Sequence, residues 1–226
     1  MAKVTKKEEE LRQQNMQEAV SKTEEFFKKY GNMMYGCILA VLIAALAILA
    51  YNRFILQPKK QQATDQMAQA ERWFLSGEYE LALSGDDNDP GLLEIIDQYG
   101  SKAGEAVYMY AGVAALKTGD YQGAIDYLKK YEGKDPILKA RAEACIGDAY
   151  AELEDYGNAI SCYQKAAKTT DNALAAAYLL KAGIVAEEAG DKAQALSFYK
   201  EIKDQWSNAP EAMEIDKYIS RIEIAE

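Results

Sequence analysis

The chain has 226 residues, with 36 acidic side chains against 26 basic ones, no histidine, and a net charge of −10 at pH 7. Lacking histidine, it has no Ser-His or Cys-His nucleophile, no histidine metal site and no imidazole pH switch. Beyond residue 56 the imbalance steepens to 18 Lys+Arg against 30 Asp+Glu, which disfavours nucleic acid and anionic lipid as partners of that part.

The first element is apolar. Met33 to Ala50 is 18 residues without a charge, with Asn32 ahead of it and Asn52 and Arg53 behind. As a helix it measures roughly 27 Å, close to the ~30 Å hydrocarbon core of a bilayer. Inside lipid only a helix satisfies its own backbone. Tyr30, Tyr35, Tyr51 and Phe54 stand near its ends, where amphipathic aromatics settle. A cleaved signal peptide is the rival reading. Against it, the preceding 32 residues carry charges of both signs, and no A-x-A site follows the run. The expected organisation is an N-terminal segment 1–30, a transmembrane anchor 31–54 and a repeat domain 55–226. Gly36, Ala40 and Ala44 recur every four residues, a small-residue stripe that permits close helix contact in lipid. Lys22, Lys28 and Lys29 before the span balance Arg53, Lys59 and Lys60 after it. Charge therefore leaves the orientation open.

After the anchor, "AERWFLSGEYELAL" from Ala70 reads as a degenerate helical hairpin (61–84) with a short second helix. A linker and short helix follow at 85–102. Asp86, Asp87 and Asp89 lack the 12-residue frame and closing bidentate Glu of a calcium loop, so this is an acidic solvated linker, with the short helix at Pro90–Tyr99. No phosphate-cradling glycine motif occurs in the chain.

Three segments then repeat: "AGVAALKTGDYQGAIDYLKKYEGKDP" from Ala111, "IGDAYAELEDYGNAISCYQKAAKTTD" from Ile146 and "AGIVAEEAGDKAQALSFYKEIKDQWS" from Ala182. Gly112, Gly147 and Gly183 align, as do Asp120, Asp155 and Asp191, and Ala124, Ala159 and Ala195, at spacings of 35 and 36 residues. Leu128, Tyr163 and Tyr199 lie four residues beyond the alanines, on the same helical face. Each unit is thus a pair of antiparallel helices brought close by small residues. The expected fold is all-α: one transmembrane helix, then a helical-hairpin solenoid.

This pattern resembles the tetratricopeptide repeat, whose period is about 34, over full units at about 104–208. Two positions depart from it: Glu143 stands where a bulky apolar residue is usual, and Asp171 where Pro136 would be matched. The segment 209–226 reads as a capping helix, with Asn208 as N-cap, Pro210 in the first turn and Glu211 at the capping-box position. Cys145 and Cys162 are too few for a zinc site and read as free buried thiols.

The whole arrangement resembles the YfgM-type ancillary subunits of the bacterial SecYEG translocon, most sharply at Phe26, Phe27 and Gly31 before the span. That resemblance implies a cytoplasmic N-terminus, a periplasmic repeat domain, and as partners the SecYEG translocon and a membrane-anchored chaperone of the PpiD type. A cytosol-facing repeat receptor or a general envelope scaffold stays open on the charge count. No catalytic, cofactor or metal residues are expected. With Gly112, Gly147 and Gly183 as register marks, the packed stripe takes Tyr108, Ala111, Ala115, Ile146, Tyr150, Leu179, Ala182 and Ala186. A binding groove falls to Met109, Tyr110 and Val113 of the first full unit, Arg141 and Asp148 of the second, and Lys181 and Ile184 of the third. Tyr110 is the expected anchor, with Arg141 and Lys181 orienting an acidic partner.

Overall fold

The computed structural model describes residues 6–170 and 172–224; Asp171 and the side chains of Phe26 and Phe27 lie outside the described residues. The chain separates into two compact units, Met1–Pro58 and Lys59–Glu226. Regular structure among the described residues is helical, apart from one bridge between Gly85 and Pro90.

The first unit is dominated by α1 (Lys6–Tyr51), followed by a π-helical turn, Asn52–Leu56. Within it Ile38, Leu39, Val41, Leu42, Ile43, Leu46, Ile48 and Leu49 are all exposed. Among the described residues one helical stretch, Lys28–Ser76, is long and apolar enough to cross a membrane, judged by length and composition. Gly36, Ala40 and Ala44 are exposed on α1, and a Cβ added at Gly36 would meet no atom within 4 Å.

The second unit starts within α2 (Gln57–Ser76), and the six-residue α3 (Tyr79–Ser84) follows. In the loop after α3, the Asp86 carboxylate accepts the backbone N–H groups of Asn88 and Asp89, both at 2.8 Å. Those two bonds hold its pKa below the usual carboxylate range. The short helix α4 (Leu92–Tyr99) begins two residues later than the sequence suggests: Gly91 takes the capping position and Pro90 is tied into the bridge to Gly85.

Three full hairpins follow. They are α5 (Ala106–Thr118) with α6 (Tyr121–Leu128), α7 (Pro136–Glu152) with α8 (Tyr156–Thr170), and α9 (Leu174–Glu188) with α10 (Lys192–Gln205). The aligned aspartates start each second helix by capping it. Asp120, Asp155 and Asp191 accept the N–H of Gly123, Asn158 and Gln194 at 3.0, 3.3 and 2.9 Å, satisfying a helix-terminal donor. Each tight turn just before needs one left-handed residue. Gly119 and Gly190 supply it in the first and third units at φ 84° and 82°, but the second uses Glu154 at φ 59°. A side chain there carries a steric cost that glycine avoids.

The aligned glycines let the two helices of a hairpin touch. A Cβ on Gly112 would sit 2.4 Å from Leu128 Cγ, one on Gly147 2.8 Å from Tyr163 Cε1, and one on Gly183 2.3 Å from Tyr199 Cε1. Ala124, Ala159 and Ala195 are fully buried on the facing helices. Of the expected packed stripe, Ala111, Ala115, Ile146, Leu179, Ala182 and Ala186 are buried, while Tyr108 and Tyr150 are half-buried.

The C-terminal cap differs from expectation. Pro210–Met213 forms a 3₁₀ turn, entered through Ala209 with no side-chain cap, and α11 starts only at Ile215 and runs to Ile224. The reason is packing: Ala209 is itself buried in the core beside α9 and α10. The chain must turn there before Ile215, Ile219 and Ile222 can cover the last hydrophobic face.

Candidate functional site: a groove in the first full unit

Units two and three close their inner surfaces with matching polar clusters. In the second, Asp148 accepts the Tyr163 hydroxyl at 2.7 Å and the Lys181 ammonium at 2.7 Å. In the third, Glu187 accepts the Tyr199 hydroxyl at 2.6 Å and an Arg221 N–H at 2.5 Å. Each cluster joins a hairpin to the next element, α7 to α9 and α9 to α11. Burial pushes the Tyr163 and Tyr199 hydroxyls well above the ordinary tyrosine range, and the neighbouring carboxylate adds to this. Lys181, expected to orient a partner, is instead paired with Asp148 and lies over the Tyr163 ring at 5.7 Å.

The first unit has no such cluster. The positions equivalent to Tyr163, Asp148 and Glu187 are Leu128, Val113 and Leu116. Of these three, Val113 lines a cavity of about 330 Å³. Met109, Tyr110, Val113 and Arg141, placed in one groove by sequence register, all line it, together with Phe74 and Leu75 of α2 and with Ala106, Tyr131 and Leu138. Asp148 and Lys181 lie outside that cavity in their own cluster, and Ile184 is half-buried on α9.

Tyr110 is half-buried rather than free. Its hydroxyl donates to Glu71 Oε1 at 2.7 Å, and its ring meets Phe74 edge-on at 4.8 Å. That hydrogen bond, aided by burial and the Glu71 charge, pushes its pKa up to about 12. Arg141 is exposed and makes no ion pair among the described residues. The groove is thus an apolar slot with one uncommitted cation at its edge. Sequence reasoning missed the α2 wall. Phe74 lies in a hairpin outside the aligned repeats, so no repeat position pointed to it.

Cys145 and Cys162 are free and half-buried, and burial raises both thiols. Thiols held protonated in this way are poor nucleophiles. Among the described residues no group of three or more His, Cys, Asp or Glu side chains could hold a metal ion.

A solenoid of helical hairpins, closed by polar clusters and leaving an apolar groove, belongs to the class of proteins that bind other proteins. Residues 94–136 and 146–210 match the family model described as the tetratricopeptide repeat. Over those two stretches the chain is similar to the tetratricopeptide repeat, and repeats of that kind are generally non-catalytic protein-interaction scaffolds. No curated protein matches it.

Proposed function

We propose that this chain is a membrane-anchored docking scaffold whose first full repeat holds a segment of a partner protein. The observation that carries the reading is the 330 Å³ groove, apolar along Met109, Val113 and Leu138 and edged by the uncommitted Arg141. Pockets of this size, with apolar walls and one oriented charge, suit an apolar anchor flanked by a carboxylate. Anchoring is supported by α1: a helix with eight large aliphatic side chains exposed in succession has too much apolar surface for water. Its stripe of Gly36, Ala40 and Ala44 offers a face to neighbouring helices in lipid.

The resemblance to YfgM-type subunits names the finer reading. The anchor crosses the bacterial inner membrane, the repeats stand in the periplasm, and the groove holds a PpiD-type chaperone beside SecYEG. Two proteins confined to one membrane meet at a raised effective concentration, so a modest groove contact suffices. Val113→Glu, which puts a carboxylate into the groove, is the test. Helicity and alkaline-resistant membrane association should persist, while chaperone and translocon subunits no longer co-purify. Unchanged recovery of those subunits would refute the groove; alkaline extraction of the wild-type chain would refute the anchor.

A further inference from the structure

A second cavity meets the first at Tyr131, is lined by a different set of α7 residues and has a different chemistry. The second helix of the first unit is short: α6 spans 8 residues, where α8 spans 15 and α10 spans 14. Lys130 N–H and Tyr131 N–H turn back to the carbonyls of Tyr127 and Leu128, and the chain leaves for Asp135, the cap of α7. Three turns of α7 beside α8 are left uncovered, forming a trough of about 590 Å³. Its lining runs from Lys139 to Tyr150 on α7 and from Asn158 to Thr169 on α8, each about 16 Å of helix.

The trough is basic in an acidic protein. Lys129, Lys139 and Lys165 line it against a single carboxylate, Glu143. Glu143 pairs with Lys165. Lys129 donates to the Tyr150 hydroxyl at 3.0 Å and feels the Asp126 carboxylate only beyond ion-pair distance, and Lys139 has no ion pair among the described residues. Two lysines at the trough are left without a contacting carboxylate. The basic run that supplies them, residues 129–141, holds five of the 18 Lys and Arg found beyond residue 56. Along α8, Ser161 adds a hydroxyl, while Asn158 and Thr169, whose donors are taken by Asp155 and the Lys165 carbonyl, offer their oxygens as acceptors for a peptide N–H.

We propose that this trough binds an extended acidic segment of a partner protein, about five residues long with two or more carboxylates. The length follows from about 16 Å at roughly 3.3 Å per extended residue, and the carboxylates from the two lysines without a contacting carboxylate. Glu143, out of place in the repeat pattern, has a role here: it holds Lys165 against the trough wall and leaves the other two lysines to the ligand.

The test uses the full-length chain in non-ionic detergent and a fluorescein-labelled hexapeptide of alternating Asp and Glu, read by fluorescence anisotropy. Its amide counterpart, alternating Asn and Gln, is the comparison. The acidic peptide should bind at low salt and weaken as salt rises. Lys129→Glu with Lys139→Glu should weaken it at least about tenfold, whereas Arg141→Glu at the other groove and Lys217→Glu on α11 should leave it unchanged. Absent binding, equal binding of the amide peptide, or equal loss with Lys217→Glu would overturn the proposal. Loss with Arg141→Glu alone would move the acidic ligand to the first groove, and would also overturn it. Self-association abolished by the lysine reversals, without peptide binding, would give the trough to a second copy of the chain and overturn it as well.

Discussion

Replacing Gly183 by alanine tests the helix contact on which every repeat depends. An alanine in a helix interior is ordinarily favoured over glycine by about 0.8–1.0 kcal/mol. Here the new Cβ would lie 2.3, 2.8 and 2.9 Å from Cε1, Cζ and Cδ1 of Tyr199, all inside van der Waals contact. The ring cannot swing away, because Tyr199 is fully buried. Its hydroxyl is bound to Glu187, and its face lies 5.2 Å from Tyr218. Overpacking of this kind costs about 1–3 kcal/mol, with the upper end fitting a three-atom clash against an immobile ring. After subtracting the propensity gain, the net loss is about 1–2 kcal/mol, a melting temperature lower by about 2–8 °C. Gly157 is the control: it is also helical, in α8, but a Cβ there meets nothing within 4 Å, so Gly157→Ala should raise stability by up to about 1 kcal/mol. Circular dichroism melts supply the temperatures. Trp206, packed against the C-terminal core, reports the third unit by fluorescence once Trp73 is changed to Phe. The same substitution should move stability in opposite directions at the two sites. A Gly183→Ala protein melting at or above wild type would refute the close-contact reasoning.

Other outcomes follow from single residues. Glu154→Gly, at the left-handed turn position that glycine fills in the neighbouring units, should stabilise by about 0.5–1 kcal/mol, read as a rise in the urea midpoint. Asp148→Ala removes the acceptor of both Tyr163 and Lys181 and should cost about 1–3 kcal/mol. Asp148→Asn keeps an acceptor and should cost less; equal losses would show that hydrogen bonding to Tyr163 contributes nothing. Tyr110 has a folded pKa of about 12, above the unfolded value of about 10. Its hydrogen-bonded contribution is therefore full below about pH 10 and lost as pH rises toward 12. The stability gap between wild type and Tyr110→Phe should be constant from pH 7 to about 9 and shrink above about 10, as measured by melts at successive pH values.

The repeats were legible because their physics is local. Glycine, aspartate and alanine recur at fixed offsets, and each does one job: close approach, helix capping or a small facing contact. The register that sorted Ala111 and Ala182 into the core also put Met109, Tyr110, Val113 and Arg141 on one surface, and all four line one cavity. What a register cannot see is which polar groups find each other across units. Lys181 looked available, but Asp148, one hairpin earlier, faces it. The α2 wall of the groove was not identified because Phe74 and Leu75 belong to the degenerate first hairpin, which was not set in register with the three full units. The basic trough depends on where α6 stops, a matter of three-dimensional return to α7 that no periodicity records. The late start of α11 had the same origin, since burial of Ala209 outweighed the capping signals at Asn208 and Pro210.

The most direct test of the central claim is photocrosslinking in intact cells from Met109 and Val113 inside the groove, with Lys217 on α11 as the outside position. The account predicts one discrete adduct from both groove positions and none from Lys217. Mass spectrometry should identify the adduct as a membrane-anchored chaperone or a translocon subunit. Groove positions that yield no adduct while Lys217 crosslinks readily, or adducts only with cytosolic proteins, would contradict it.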